Sequence, residues 1–96
     1  MYRVEWSKQA KESLKKIGDR IKEGKIKRRI DNELTQNPYK GELLKGNLKG
    51  QRSFHLLGNR VRVVYEIYQA KLLVIVVEIG WREGFYKRLA RKYGRK

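Results

Sequence analysis

The chain has 96 residues, of which 25 are Lys or Arg and 10 are Asp or Glu, so it carries a formal net charge of +15. That length is expected to form one domain spanning 1–96, and its 40% hydrophobic residues suffice for a modest core and argue against wholesale disorder. The absence of cysteine excludes disulfides and thiolate chemistry, and a single histidine, His55, leaves only carboxylates to complete a metal site, so neither metal nor cofactor is expected.

The period-2 alternation of Tyr2, Val4 and Trp6 with Arg3, Glu5 and Ser7 predicts a half-buried strand. Ser7 can then cap a helix that carries Ala10, Leu14 and Ile17 on one face and closes at Gly18. Asp19 opens a second helix, with Ile21, Ile26, Ile30 and Leu34 as its apolar stripe. It ends before Asn37-Pro38, because a residue preceding proline avoids the helical region. Gly24 weakens this helix by about 1 kcal/mol relative to alanine. Together the two helices read as an amphipathic hairpin lying on a sheet.

From Pro38 to Gly50 the repeated glycines predict a loop. Phe54 and Leu56 then alternate with Ser53 and His55, and Val61, Val63, Tyr65 and Ile67 alternate with Arg62, Val64, Glu66 and Tyr68. With Gly58-Asn59 between them, these two runs read as a β-hairpin. A short connection, Gln69-Ala70-Lys71, leads into Leu72 to Ile79. This nearly continuous apolar run suits a central strand covered on both faces, and Gly80 stops it. A last helix is predicted from about Glu83, with Phe85, Tyr86, Leu89 and Tyr93 at helical spacing. The order β-α-α-β-β-β-(α) is that of an α+β domain, with the helical hairpin on one face of a small antiparallel sheet.

Leu72 to Ile79 falls well short of the ~18 apolar residues of a membrane span. The N-terminus lacks the apolar core of a secretory signal, so the chain is expected in the cytoplasm. No basic helix carries a broad aromatic apolar face, which argues against an anionic membrane as partner. The net charge then points to another polyanion, either nucleic acid or an acidic protein.

One face of the predicted hairpin is apolar and forms the core, whereas the other collects Ser53, His55, Arg62, Glu66 and Tyr68. That polar face is either the ordinary solvated side of an antiparallel sheet or a site. If the sheet ends near Arg82, it brings Arg82 and Tyr86 beside Arg62 and His55. Such a cluster suits RNA cleavage by the substrate's own 2′-hydroxyl. Guanidinium groups stabilise the phosphate without titrating, and histidine or tyrosine moves the protons, with no metal needed. The segment from Tyr86 to Lys96 adds six basic residues and two tyrosines, which suit phosphate-backbone contact and base stacking. The lysines of the first two helices read as a solvated face.

The chain resembles the RelE/ParE superfamily of toxins from type II toxin–antitoxin systems. The resemblance rests on Asn37-Pro38, Leu44-Lys45-Gly46, Leu48-Lys49-Gly50 and Arg52-Ser53-Phe54-His55. It continues through Gly58-Asn59-Arg60-Val61-Arg62-Val63-Val64-Tyr65 and Ile79-Gly80-Trp81-Arg82-Glu83-Gly84-Phe85-Tyr86, and so covers nearly the whole chain in the family's element order. Its RelE branch implies a ribosome-dependent mRNA endoribonuclease that forms a 2′,3′-cyclic phosphate and is silenced by a cognate antitoxin. The implied catalytic residues are Arg62 for the transition-state phosphate, Arg82 for the leaving group or phosphate, and Tyr86 as general base. His55, standing where relatives often have Lys or Arg, shares the acid–base work or contacts RNA. Trp81, where many relatives have histidine, stacks on a base. Lys45, Lys49, Arg52, Arg60, Lys87 and Arg88 are the further expected RNA contacts. Ribosome, mRNA and antitoxin are thus the expected partners. The alternatives are a ParE-like gyrase inhibitor, which shares the fold, and a non-catalytic RNA- or ribosome-binding module.

Overall fold

A computed structural model describes residues 1–44, 50–58 and 60–81 of the chain. Strand β1 (Arg3–Trp6) leads directly into helix α1 (Lys8–Lys15), and the break between them is set by Ser7. The Ser7 hydroxyl accepts from the Ala10 N–H at 3.0 Å and donates to the Val77 carbonyl at 2.7 Å. One side chain therefore both caps the helix and fastens it to the sheet. Gly18, at φ 74°, provides the left-handed turn that closes the first helix. Asp19 caps helix α2 (Arg20–Gln36) by accepting from the N–H groups of Ile21 and Lys22. Gly24 sits inside an unbroken helix, its local cost outweighed by the burial of Ile26, Ile30 and Leu34.

Beyond α2, a single 3₁₀ turn (Pro38–Lys40) is followed by β2 (Glu42–Leu43), β3 (Gln51–Leu56), β4 (Val61–Tyr68) and β5 (Leu73–Trp81). The strands form one five-stranded sheet in the order β1-β5-β4-β3-β2. This is the expected α+β architecture, with two departures. The Pro38–Gly50 stretch is not loop throughout, because Glu42 and Leu43 pair antiparallel with Ser53 and Arg52. The sheet is mixed rather than antiparallel, since β1 runs parallel to β5 with Arg3 opposite Leu73 and Trp6 opposite Val76. The helical hairpin is the crossover that returns the chain to the sheet. β5 is accordingly an inner strand, hydrogen-bonded to β1 on one side and β4 on the other.

Trp6, Ala10, Leu14, Ile26, Ile30 and Leu34 pack against Phe54, Leu56, Val61, Val63, Tyr65, Val74, Val76 and Ile79. The alternation in β3 and β4 thus assigns the core face as expected, and Ile67 packs partly buried against it. Along β5, Val76 and Ile79 both reach the core although they are three apart. The register against β4 skips Val77 between Val64–Glu78 and Tyr65–Val76, and this bulge re-phases the strand. Ile21 departs from the predicted stripe, being 72% exposed at the start of α2. Leu72 lies outside the last strand, in the left-handed conformation after a 3₁₀ turn at Gln69–Lys71.

Candidate nucleic-acid interface

Because β3 and β4 alternate, His55, Arg62, Glu66 and Tyr68 stand together on the sheet face opposite α1 and α2, where Ser53 and Val64 in the row between them are buried. His55 is directly opposite Arg62, and Arg62 is directly opposite Gly80 on β5, so the three form one row across the sheet. Side chains in such cross-strand positions are neighbours, with Cβ atoms about 4.5–5.5 Å apart. Both His55 and Arg62 are exposed. Gly80 flanks Arg62 without a side chain, and a Cβ there would stand 3.8 Å from that of Arg62. No side chain from position 80 therefore crowds the arginine stem. Among the described residues no carboxylate forms an ion pair with Arg62. An exposed, uncompensated guanidinium beside an imidazole can hold a phosphate oxygen bidentately while the imidazole meets the same group.

Further along the same face, Gln51 is paired with Glu66 across the strands, and its amide donates to one carboxylate oxygen at 2.9 Å. The Tyr68 hydroxyl donates to the other at 2.6 Å. The hydrogen bond from Tyr68, then that from Gln51, holds the Glu66 carboxyl below its ordinary range, and the same contact raises Tyr68. Glu66 and Tyr68 were legible as polar-face residues from the alternation. The part of Gln51 was not, because it depends on strand register.

The structure brings together His55 and Arg62 of the expected catalytic set; Arg82 and Tyr86 lie outside the described residues. Of the expected RNA contacts, Lys45, Lys49, Lys87 and Arg88 also lie outside them, as does the helix predicted from Glu83. Trp81 is the last residue of β5, its backbone opposite Val61. Arg52 stands on the helix-bearing face, in register with Tyr65. Its guanidinium donates to the Gly41 carbonyl at 2.8 Å and lies over the Tyr39 ring at 5.1 Å, tying down the turn before β2. Arg60 belongs to the β3–β4 connection, and it lines a cavity with residues of α2 and of the link between the two helices. No group of three or more His, Asp or Glu among the described residues is placed to hold a metal ion. None of their helices is long and apolar enough to cross a membrane.

The family model described as the ParE-like toxin of type II bacterial toxin–antitoxin systems matches residues 4–90. Among solved structures, the toxin–antitoxin complex RelBE2 from Mycobacterium tuberculosis superimposes with a TM-score of 0.75 at 21% identity, covering 84% of this chain and 91% of that one. The isolated RelE toxin from E. coli gives 0.64 at 18% identity, covering 97% and 99%. A metal-bound toxin from Helicobacter pylori gives 0.65 at 27% identity, covering 88% and 98%. No curated protein matches the sequence significantly.

Proposed function

Because the chain belongs to the ParE-like toxins of type II bacterial toxin–antitoxin systems, we propose that it is a toxin that cuts mRNA on the ribosome and is neutralised by a cognate antitoxin. The observation that carries this reading is the exposed His55–Arg62 pair on the sheet face opposite α1 and α2, flanked by Gly80 and without a paired carboxylate among the described residues. In the proposed reaction the substrate's 2′-oxygen attacks the adjacent phosphorus while the bond to the 5′-oxygen breaks, leaving a 2′,3′-cyclic phosphate and a free 5′-hydroxyl. One proton leaves the 2′-hydroxyl and one is delivered to the 5′-oxygen, so no outside reactant is needed. Arg62 neutralises the charge that builds on the phosphate, an electrostatic service worth on the order of 10²–10³ in rate. Tyr86 takes the first proton, Arg82 assists the leaving oxygen, and His55 contacts the phosphate or shares the proton transfer. The net charge of +15 supports docking on a large RNA surface, with Lys45, Lys49, Lys87 and Arg88 as backbone contacts and Trp81 stacking on a base.

An antitoxin partner is supported by solved relatives that are themselves toxin–antitoxin complexes. The ParE-like description of the matched family favours a second reading, inhibition of DNA gyrase. One experiment separates the two. Purified protein is added to a translating extract while mRNA ends are mapped, and gyrase supercoiling is assayed in parallel. New mRNA ends that appear only in the presence of ribosomes, with supercoiling intact, are the expected result. Intact mRNA with blocked supercoiling would replace the nuclease reading with the gyrase one.

A further inference from the structure

At the turn-bearing end of the β3–β4 hairpin lies a cavity of about 370 Å³, lined by Ile17, Ile26, Leu57 and Val61 together with Lys22, Lys25 and Arg60. It opens between the link from α1 to α2 and the connection that precedes Arg62. Its lining combines aliphatic side chains with three cations. None of those three forms an ion pair among the described residues.

Two independent observations mark this surface as more than a fold in the exterior. Leu57 holds the left-handed conformation at φ 52° while its side chain is 47% exposed. Glycine or asparagine adopts that backbone readily and leucine does not, so a large apolar side chain is kept here against its local preference. Ile21, 72% exposed, lies on α2 next to Lys22 and one turn before Lys25, and it extends the apolar surface beyond the cavity.

The chemistry of an occupant follows from that lining. Aliphatic walls take up an aliphatic side chain, and three cations at a largely apolar cleft call for carboxylates nearby. RNA fits less well, because the described lining offers no aromatic ring on which a base can stack. A small molecule would leave Ile21 uncovered. We propose that this cavity seats an aliphatic side chain from an acidic segment of the antitoxin, whose carboxylates pair with Lys22, Lys25 and Arg60. The inference rests on the antitoxin partnership and not on the nuclease chemistry. It places an anchor on the helix-bearing side of the sheet, joined to Arg62 on the opposite face by the short β3–β4 connection.

The test uses the full chain and its antitoxin, co-expressed and purified as the complex, with dissociation followed by competition against labelled wild-type chain. Leu57→Gly removes the side chain while relaxing the backbone, so the free variant keeps or raises its melting temperature. Its complex is nevertheless expected to dissociate about tenfold faster, as for loss of an interface anchor. Lys22→Glu with Lys25→Glu is expected to weaken the complex by at least about tenfold and to flatten its dependence on salt. Hydrogen exchange should show protection at residues 21–26 and 57–61 on complex formation. Wild-type dissociation rates in folded variants would overturn the proposal, as would protection confined to the His55–Arg62 face. If Leu57→Gly fails to fold, Leu57→Asn, which also tolerates the left-handed region, carries the same test. A wild-type chain that leaves mRNA intact would defeat the nuclease reading alone, since every measurement here is of binding.

Discussion

Arg62 faces His55 across the β3–β4 hairpin on the sheet surface opposite α1 and α2, and the two side chains belong to adjacent strands with no residue between them. If both meet the same phosphate, their contributions to cleavage are coupled. Arg62→Ala is expected to slow single-turnover cleavage on ribosomes by on the order of 10²-fold or more, the loss of an electrostatic donor. His55→Ala should cost less. The double variant should lose less than the product of the two single losses, as residues in one cluster do. Fully multiplicative losses in folded variants would show that the pair does not share a phosphate.

Tyr65 makes a different kind of pair, wholly inside the protein. Its ring is inaccessible to solvent, and its hydroxyl donates to the Pro38 carbonyl at 2.6 Å and accepts from the Gly41 N–H at 3.0 Å. This one oxygen fixes the path of the chain from α2 into β2. Tyr65→Phe strands a buried donor and a buried acceptor, so urea denaturation should show a loss of about 1–3 kcal/mol.

The same hydroxyl sets an alkaline limit on stability. Burial raises the Tyr65 pKa above 10.0, against the smaller opposing effects of the Gly41 hydrogen bond and the Arg52 charge. A folded-state pKa above the unfolded value means that the folded state holds the proton more tightly. The resulting stability is fully present below about pH 10 and is lost as the pH rises toward the folded-state value. Denaturation midpoints taken from pH 9 upward should therefore fall more steeply for the wild type than for Tyr65→Phe. Parallel slopes would exclude Tyr65 as the group responsible.

The origin of Tyr65 in an alternating strand explains why so much of the hairpin was legible. Period 2 assigns Phe54, Leu56, Val61, Val63 and Tyr65 to the core, and by the same step assigns His55 and Arg62 to the opposite face. The helix limits were equally local, carried by Ser7, Gly18, Asp19 and Asn37-Pro38. The parallel pairing of β1 was not legible, because Tyr2, Val4 and Trp6 show that a strand exists without naming its neighbour. β2 was hidden for a related reason: two residues carry no period, and Glu42–Leu43 is a strand only because β3 lies beside it. The parity of Arg52 with Phe54 makes its place on the helix-bearing face legible, whereas its hold on the Gly41 carbonyl depends on the pairing of β2 with β3. Of the cavity, the sequence showed its basic and apolar residues but not their meeting, which joins positions about 40 residues apart in the chain.

Gly41 lies where two backbones approach closely. A Cβ built at this position would stand 2.5 Å from the Tyr65 hydroxyl and 2.7 Å from the Ser53 carbonyl oxygen, and the latter is backbone inside the sheet. Neither atom can withdraw cheaply, since the hydroxyl is held by Pro38 and the carbonyl by its strand. Gly41→Ala is therefore expected to cost about 1–3 kcal/mol, as for an overpacked site, and to detach β2 from β3. Hydrogen exchange at Leu44, whose N–H donates to the Gln51 carbonyl at 2.8 Å, reports that detachment directly. Unchanged protection at Leu44, together with wild-type stability, would refute the close approach.

Trp6 and Asp31 join the first strand to the middle of α2. The indole N–H donates to one Asp31 oxygen at 2.7 Å, and Lys27 donates to the other at 3.0 Å while its ammonium lies 5.4 Å from the centre of the Trp6 ring. The two halves of this contact are expected to differ in weight. The ion pair is an exposed i,i+4 contact, worth a few tenths of a kcal/mol at most. The indole belongs to a buried residue, so its N–H loses water as well as its partner when Asp31 is shortened. Asp31→Asn keeps an oxygen for the indole and gives up the charge, and should cost under about 0.5 kcal/mol. Asp31→Ala gives up both and should cost about 1–3 kcal/mol. Tryptophan fluorescence at successive urea concentrations measures these losses, because Trp6 becomes exposed when the chain unfolds. Equal losses for the two variants would put the weight on the ion pair and remove the hydrogen bond as the tie between β1 and α2.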